Sequence, residues 1–386
     1  MAPKVTFVVP CYKLAHLLPE CVNSILAQTY RDFEILIMDD CSPDDTPQVA
    51  RSFAGDSRVQ HIRNDPNLGH LRNYNKGLKM ARGEYVWLMS ADDRLRSPHI
   101  LERYVKVMEA NPQVGYAFCP GMALENGRET RVLPYSRHGD KDAIFDGREF
   151  LLKLLKGNFV LAAAGMARKE CYEKAGYFPL DIPYAGDWYI WLIFALYYDV
   201  AYFAEPMVDY RMHELTITTH FTQKEARVFT ADGPSVLWRI KQAAERANHK
   251  AVARRCEEYI VDRYRYYMMS QIWKISPYTM TFEEYEESLH RNAIRQDEVA
   301  RVGARVSARL GDGYCLHREF DQALQFYKRA LRQDFWMPNA WAKYVLLTLR
   351  LGGLSVRARE SLASLRRMMT GASKPDPLSP AKQAGS

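Results

Sequence analysis

The chain lacks any long apolar run. Its most apolar stretch, Trp188 to Tyr198, is 11 residues, short of the roughly 18 needed to cross a bilayer. The opening "MAPKVTFVVP" enters a strand-like run with neither a basic leader nor a cleavage pattern, so no secretory signal is expected. Its seven cysteines are scattered without CxxC spacing, which argues against a zinc ribbon or disulfide framework and for a reducing compartment. No nucleic-acid-binding motif is present, so nucleic acid is not an expected partner. Also missing after the first strand is the Gly-rich basic loop that holds triphosphates in sugar nucleotidyltransferases; the segment there reads "VVPCYKLAHLL".

What is present is ordinary globular composition: 386 residues, 47% hydrophobic and 26% charged, with a net charge of +7. The charge is unevenly placed. Residues 1–220 carry 25 Lys+Arg against 28 Asp+Glu, whereas residues 221–386 carry 28 against 18. A basic C-terminal half can contact anionic headgroups or an acidic partner, and solvated helix faces account for it equally simply. The protein is expected to be cytoplasmic, with a peripheral position at the inner face of the membrane left open.

Strand and helix patterns alternate over the first 130 residues. "KVTFVVP" (4–10), "FEILIMDD" (33–40), "VQHIRN" and "EYVWLMS" read as strands. Between them "LLPECVNSILAQTY" (17–30), "TPQVARSFA" (46–54, with Thr46 as cap) and "HLRNYNKGLKMA" (70–81) read as helices. This order predicts an α/β fold, a mostly parallel sheet with helices on both faces. In such sheets ligands bind beyond the carboxyl ends of the strands. Three polar clusters sit at such ends: Pro10 to Lys13, Asp39-Asp40, and Ser90 to Asp93. Each acidic pair could instead cap a helix. Adjacent carboxylates at a strand end repel each other, so a cation is the competing expectation.

"VTFVVPCYK", "SILAQTYRDFEILIMDDCSPDDT", "NLGHLRNYNKGLKMARGEYVWLMSADD" and "AGDWYIWLIFAL" together resemble the family 2 glycosyltransferases, which have the GT-A fold. The resemblance runs from about residue 4 to residue 220. It implies an inverting, hexosyltransferase-type enzyme that moves a sugar from a nucleotide-sugar, UDP- or dTDP-linked, to an acceptor hydroxyl. Surface polysaccharide or glycolipid assembly is the family's habit, and the divalent cofactor would be Mn²⁺ or Mg²⁺. A leaving nucleoside diphosphate carries about three negative charges, which a hard cation on oxygen ligands neutralises. By residue-to-residue match, Asp93 (and His213 of "YRMHE") would hold the metal and Asp92 the ribose. Asp40 would read the base edge, and Pro10 and Tyr12 would pack on the base. Lys13 and Arg72 would approach the nucleotide, and Asp187 would be the catalytic base. The family usually shows Glu-Asp where this chain has Gly186-Asp187, and an N-cap is the other ordinary use of such an aspartate. Two other functions are compatible with the α/β pattern: a sugar nucleotidyltransferase, and a non-catalytic adaptor working through helical repeats.

The resemblance ends near residue 222. The domains expected are a catalytic domain over 1–221, a helical extension over 222–302, a tetratricopeptide-like region over 303–370 and a disordered tail over 371–386. Leu310, Gly311, Tyr314, Ala323, Tyr327 and Ala330 fall at that repeat's spacing, with Pro338 about three residues late. The aromatic cluster "EEYIVDRYRYYMMSQIW" (257–273) is expected to be packing, with an acceptor-side or membrane-facing surface as the alternative.

Overall fold

The computed structural model describes residues 2–213, 219, 221 and 225–349. The chain divides into two compact units, Met1–Glu225 and Ala226–Ser386.

The described residues of the first unit form twelve strands: β1 (Val5–Cys11), β2 (Phe33–Asp39), β3 (Val59–Arg63), β4 (Tyr85–Leu88), β5 (Arg94–Leu95), β6 (Val114–Phe118), β7 (Gly121–Glu125), β8 (Arg128–Val132), β9 (Ala143–Phe145), β10 (Gly165–Arg168), β11 (Asp199–Tyr202) and β12 (Val208–Arg211). Eight form one sheet in the order β3-β2-β1-β4-β10-β6-β11-β9. β1 to β4 are mutually parallel, as are β6 and β11, while β10 and β9 run antiparallel to their neighbours. The sheet is therefore mixed, of GT-A type.

Every residue of β1 and β2 is buried, Thr6, Glu34 and Asp39 included, so these mostly apolar runs do not alternate between buried and exposed positions. Phe7 and Val9 belong to the core that also takes Cys21, Val22 and Ile25 from the helix Leu18–Leu26 and Leu101 and Tyr104 from the helix Ile100–Ala110. Val8 points the other way, to the helix His70–Met80, where a Cβ at Gly77 would lie 2.4 Å from its Cγ1. Only glycine permits that approach, and so the two sides of β1 carry different helices. The helix Gly186–Tyr197 is buried nearly all round, which explains the 11-residue apolar run as a core helix.

A second, four-stranded sheet, β5-β12-β7-β8, was not expected. Its strands are too short to announce themselves; β5 has two residues. Antiparallel pairing of Val208 with Leu95 and Asp209 with Arg94 carries the chain after β12 back past Asp92 and Asp93. A smaller difference concerns Thr46. It is the first residue of its helix, behind Asp45 at the cap, and Asp44 supplies the acceptor for the Thr46 N–H (3.2 Å) and hydroxyl (2.6 Å).

The second unit is helical throughout its described length, with helices Ala226–Arg246, Lys250–Trp273, Phe282–Asn292, Gln296–Leu316, Phe320–Gln333 and Pro338–Thr348. Tyr264, Tyr267 and Met268 of the aromatic cluster are buried, and the Tyr264 hydroxyl lies 2.9 Å from Ser288 Oγ. Gly311 faces the Tyr327 ring so closely that a Cβ would sit 3.0 Å from it. Lys241 and Glu298 form an ion pair at 1–2% exposure. From residue 350 on, the expected repeat region and the expected tail lie outside the described residues. Among the described residues no helix is long and apolar enough to cross a membrane.

Candidate active site

Three loops at the carboxyl ends of β1, β2 and β4 meet on one edge. Pro10 is buried within β1, and Tyr12 after it is exposed. Lys13 adopts a left-handed φ of 61°, its N–H donating to Ser42 Oγ (3.2 Å) and its ammonium standing 5.0 Å from the Tyr12 ring centre. The Asp40 N–H donates to Cys11 O (3.0 Å), which ties the end of β2 to the end of β1.

The two acids of the first pair have separate partners. Asp39 accepts from Ser42 N (2.8 Å) and Arg63 Nη1 (2.7 Å) beneath the loop. Asp40 is buried and accepts from Asn64 Nδ2 (2.9 Å) and Leu68 N (2.8 Å) on Oδ1, and from Gly69 N (2.9 Å) on Oδ2. A carboxylate oxygen has room for two donors, so Oδ2 keeps one acceptor position. Asn73 links the same region, donating to Met38 O (2.9 Å) and accepting from Asn64 (2.8 Å). Arg72 beside it is exposed at the start of its helix.

Asp92 and Asp93 precede a strand, β5, and the next helix begins at Ile100. They cap nothing. Burial, and next the charge of Asp92, push the Asp93 carboxyl well above the usual range, although Oδ1 accepts the Arg211 N–H at 3.0 Å. His213 Nε2 lies 2.9 Å from Asp92 Oδ2. The imidazole expected beside the metal thus meets the acid expected to hold the ribose. Asp92 Oδ1 is buried and has no hydrogen-bond partner among the described residues. Such an orphaned oxygen is costly unless something positive reaches it. Two carboxylates and an imidazole are a donor set that suits a hard divalent cation. Among the described residues, no three His, Cys, Asp or Glu side chains converge as a ready-made metal cage.

Asp187 lies in the first turn of its helix, behind Ala185 at the N-cap, so capping is not its role. Oδ1 accepts the Trp188 N–H (2.7 Å) and Oδ2 accepts from Asn158 Nδ2 (2.8 Å). Both bonds favour the anion, but burial outweighs them and lifts its pKa to about 6. The preceding position is glycine, and a Cβ there would press on Phe178 at 3.1 Å.

Two tyrosines bring these groups into one place. Burial, followed by the fields of Asp92, Asp187 and Asp93, raises the Tyr74 hydroxyl. Burial, followed by Asp187 and Asp93, raises that of Tyr135 to about 12. The candidate base and the acidic pair therefore both lie within electrostatic reach of Tyr74 and Tyr135. Sequence reasoning missed Tyr74, Tyr135 and Asn158; Arg211 was visible only as part of "YRMHE".

Residues 6–174 match the family described as "Glycosyl transferase family 2". A Mycobacterium tuberculosis protein, "Uncharacterized protein MT1568", is 30% identical over 249 residues, 61% of this chain and 73% of that protein. The chain belongs to glycosyl transferase family 2. Similarity extends to the Campylobacter jejuni "GalNAc(5)-diNAcBac-PP-undecaprenol beta-1,3-glucosyltransferase", 31% identical over 160 residues, 41% of this chain and 50% of that enzyme. Among solved structures, S. aureus TarS 1–349 in complex with UDP-GlcNAc aligns with a TM-score of 0.58 at 17% identity, covering 85% of this chain and 90% of that one. That likeness establishes the shared fold.

Proposed function

We propose that this family 2 glycosyltransferase is an inverting, metal-assisted hexosyltransferase. It takes its sugar from a UDP- or dTDP-linked donor and passes it to an acceptor hydroxyl of a glycan or glycolipid in surface polysaccharide or glycoconjugate assembly. The observation that carries this reading is Asp187, basic enough to accept a proton near neutrality and held by Asn158, within electrostatic reach of the same two tyrosines as the Asp92–Asp93 pair. A TarS structure that holds UDP-GlcNAc and a C. jejuni relative named for a lipid-linked acceptor support the donor and acceptor classes.

In this reading the base stacks on Tyr12 against Pro10, and the acceptor position left on Asp40 Oδ2 takes the N–H of the uracil or thymine edge. Lys13 and Arg72 supply positive field to the phosphates. Asp93 and His213 would hold the divalent ion, Mn²⁺ or Mg²⁺, which when bound neutralises the departing diphosphate, with Asp92 beside them facing the ribose. Asp187 receives the proton of the acceptor hydroxyl as its oxygen attacks the anomeric carbon opposite the leaving group. Asn158 and the Trp188 N–H hold the carboxylate in place meanwhile. One displacement needs one base and no covalent intermediate, so the anomeric configuration inverts.

The catalytic domain is taken as residues 1–221, and the Gly311–Tyr327 contact supports a tetratricopeptide-like packing from residue 303 on. The basic helical half would offer a surface to an anionic membrane or an acidic protein, with solvated helix faces as the simpler alternative. The deciding experiment is nucleotide release from a panel of UDP-, dTDP- and GDP-sugars with Mn²⁺, with the product anomer read by NMR. Retained configuration, or release from GDP-sugars alone, would refute the reading.

A further inference from the structure

The arginines nearest the acidic pair are directed away from it. Arg94 directly follows Asp93, yet its Nε donates to Asp209 Oδ2 (2.6 Å) and its Nη1 to Glu20 Oε1. Arg211 lies against both acids through its backbone N–H on Asp93 Oδ1 (3.0 Å) and its Nε on the Asp92 carbonyl (2.8 Å). Its Nη2 reaches past them to Glu20 Oε2. Arg96 is taken by Glu129 Oε2 (2.5 Å) and stands 3.1 Å from Asp209 Oδ1. The three guanidinium groups are thus matched by Glu20, Asp209 and Glu129, and that network is neutral without Asp92 and Asp93. The Arg211 side chain is 12% exposed, so little solvent screens its charge. A guanidinium is well shaped to clamp a carboxylate in two-pronged fashion. The Arg211 guanidinium already touches the Asp92 backbone carbonyl through Nε, and Oδ1 of the same residue is the buried oxygen left without a donor.

We propose that Glu20 is a positioning residue for the cation site: by binding Arg211 it keeps that guanidinium off Asp92 and Asp93, while Asp209 holds Arg94 independently, so the pair stays open to a divalent ion. Glu20 stands in the first turn of the helix Leu18–Leu26, and touches neither nucleotide nor metal in this scheme. Its effect is electrostatic and passes through Arg211. The role rests on the metal-assisted reading above.

The test is Mn²⁺ affinity of the full chain in the presence of UDP, read by electron paramagnetic resonance of free Mn²⁺, with thermal unfolding alongside. Glu20→Gln is expected to weaken Mn²⁺ binding about tenfold, as a close competing cation would. Glu20→Asp keeps the charge and should stay within about threefold of the parent. The double variant Glu20→Gln/Arg211→Met removes the competitor and should recover most of the lost affinity, although it unfolds no later than the single variant. That recovery is what a merely structural role would not give. If Glu20→Gln binds Mn²⁺ like the parent, or the double variant shows no recovery, the role assigned to Glu20 is overturned while the metal site stands. A parent that binds no Mn²⁺ overturns the metal reading and this role with it.

Discussion

The side-chain amide of Asn158 donates to Asp187 Oδ2 over 2.8 Å, across 29 residues of chain. Gly186 beside Asp187 brings no carboxylate, and an amide from another segment orients the candidate base. General-base catalysis is typically worth about 10²–10⁴-fold. Asp187→Asn should lose about that factor in kcat and leave UDP and Mn²⁺ affinity intact, as measured by titration calorimetry.

The pH profile follows from the same pair. Burial lifts Asp187 to about 6, so kcat should rise as pH climbs through 6 and level off above it. Asn158→Ala removes a donor to the anion and raises the pKa further, which moves the rising limb to higher pH. An unmoved limb in that variant would assign it to another group.

Asp93→Ala should abolish Mn²⁺-dependent nucleotide binding, because it removes an anionic ligand. His213→Ala should weaken it less, since imidazole brings no charge. Burial and the Asp92 charge hold Asp93 well above the usual carboxyl range, so protons compete with the cation. Mn²⁺ affinity should therefore fall as pH is lowered, and calorimetry in two buffers of different ionisation heat should detect proton release on binding.

Asp40→Asn keeps the size of the side chain but places an N–H₂ among the donors of Asn64, Leu68 and Gly69. The cost should be about 1–3 kcal/mol for a buried group left unsatisfied, seen as loss of preference for UDP over GDP in competition binding. Unchanged competition would remove Asp40 from base reading.

Lys241→Met in the helical unit takes the buried cation from Glu298, which is 1% exposed and keeps only the backbone donors of Ile294 and Arg295 and the more distant Arg295 guanidinium. Breaking such a buried pair typically costs about 3–5 kcal/mol. Thermal denaturation of the full chain should show an earlier transition, and Lys241→Met/Glu298→Leu should recover part of it.

The parallel half of the sheet was legible because β1, β2 and β4 are short, mostly apolar runs ending in polar clusters, with Asp40 as a visible stop, although β1 runs one residue past Pro10 to Cys11. Asp92 and Asp93 stood out for the same reason. The antiparallel β10 did not, because a four-residue "GMAR" has no period that fixes direction. Asn158 is a single loop amide, and its partner is set by the path of the chain rather than by spacing. The Glu20–Arg211 bond spans 191 residues, beyond any local pattern. The Thr46 cap was misread because Asp44, two residues earlier, is the better acceptor.

The pairing of β5 with β12 makes the acidic pair hostage to the last stretch of the first unit. Residues 6–174 hold the whole matched segment, including Asp40, Asp92 and Asp93. A chain halted at residue 174 during synthesis would still display that segment intact. It would lack Asp187, the strand that hydrogen-bonds Asp93, and His213. Competence for catalysis would thus arrive late on the ribosome, and half-made chains could not draw on the cell's pool of activated sugars.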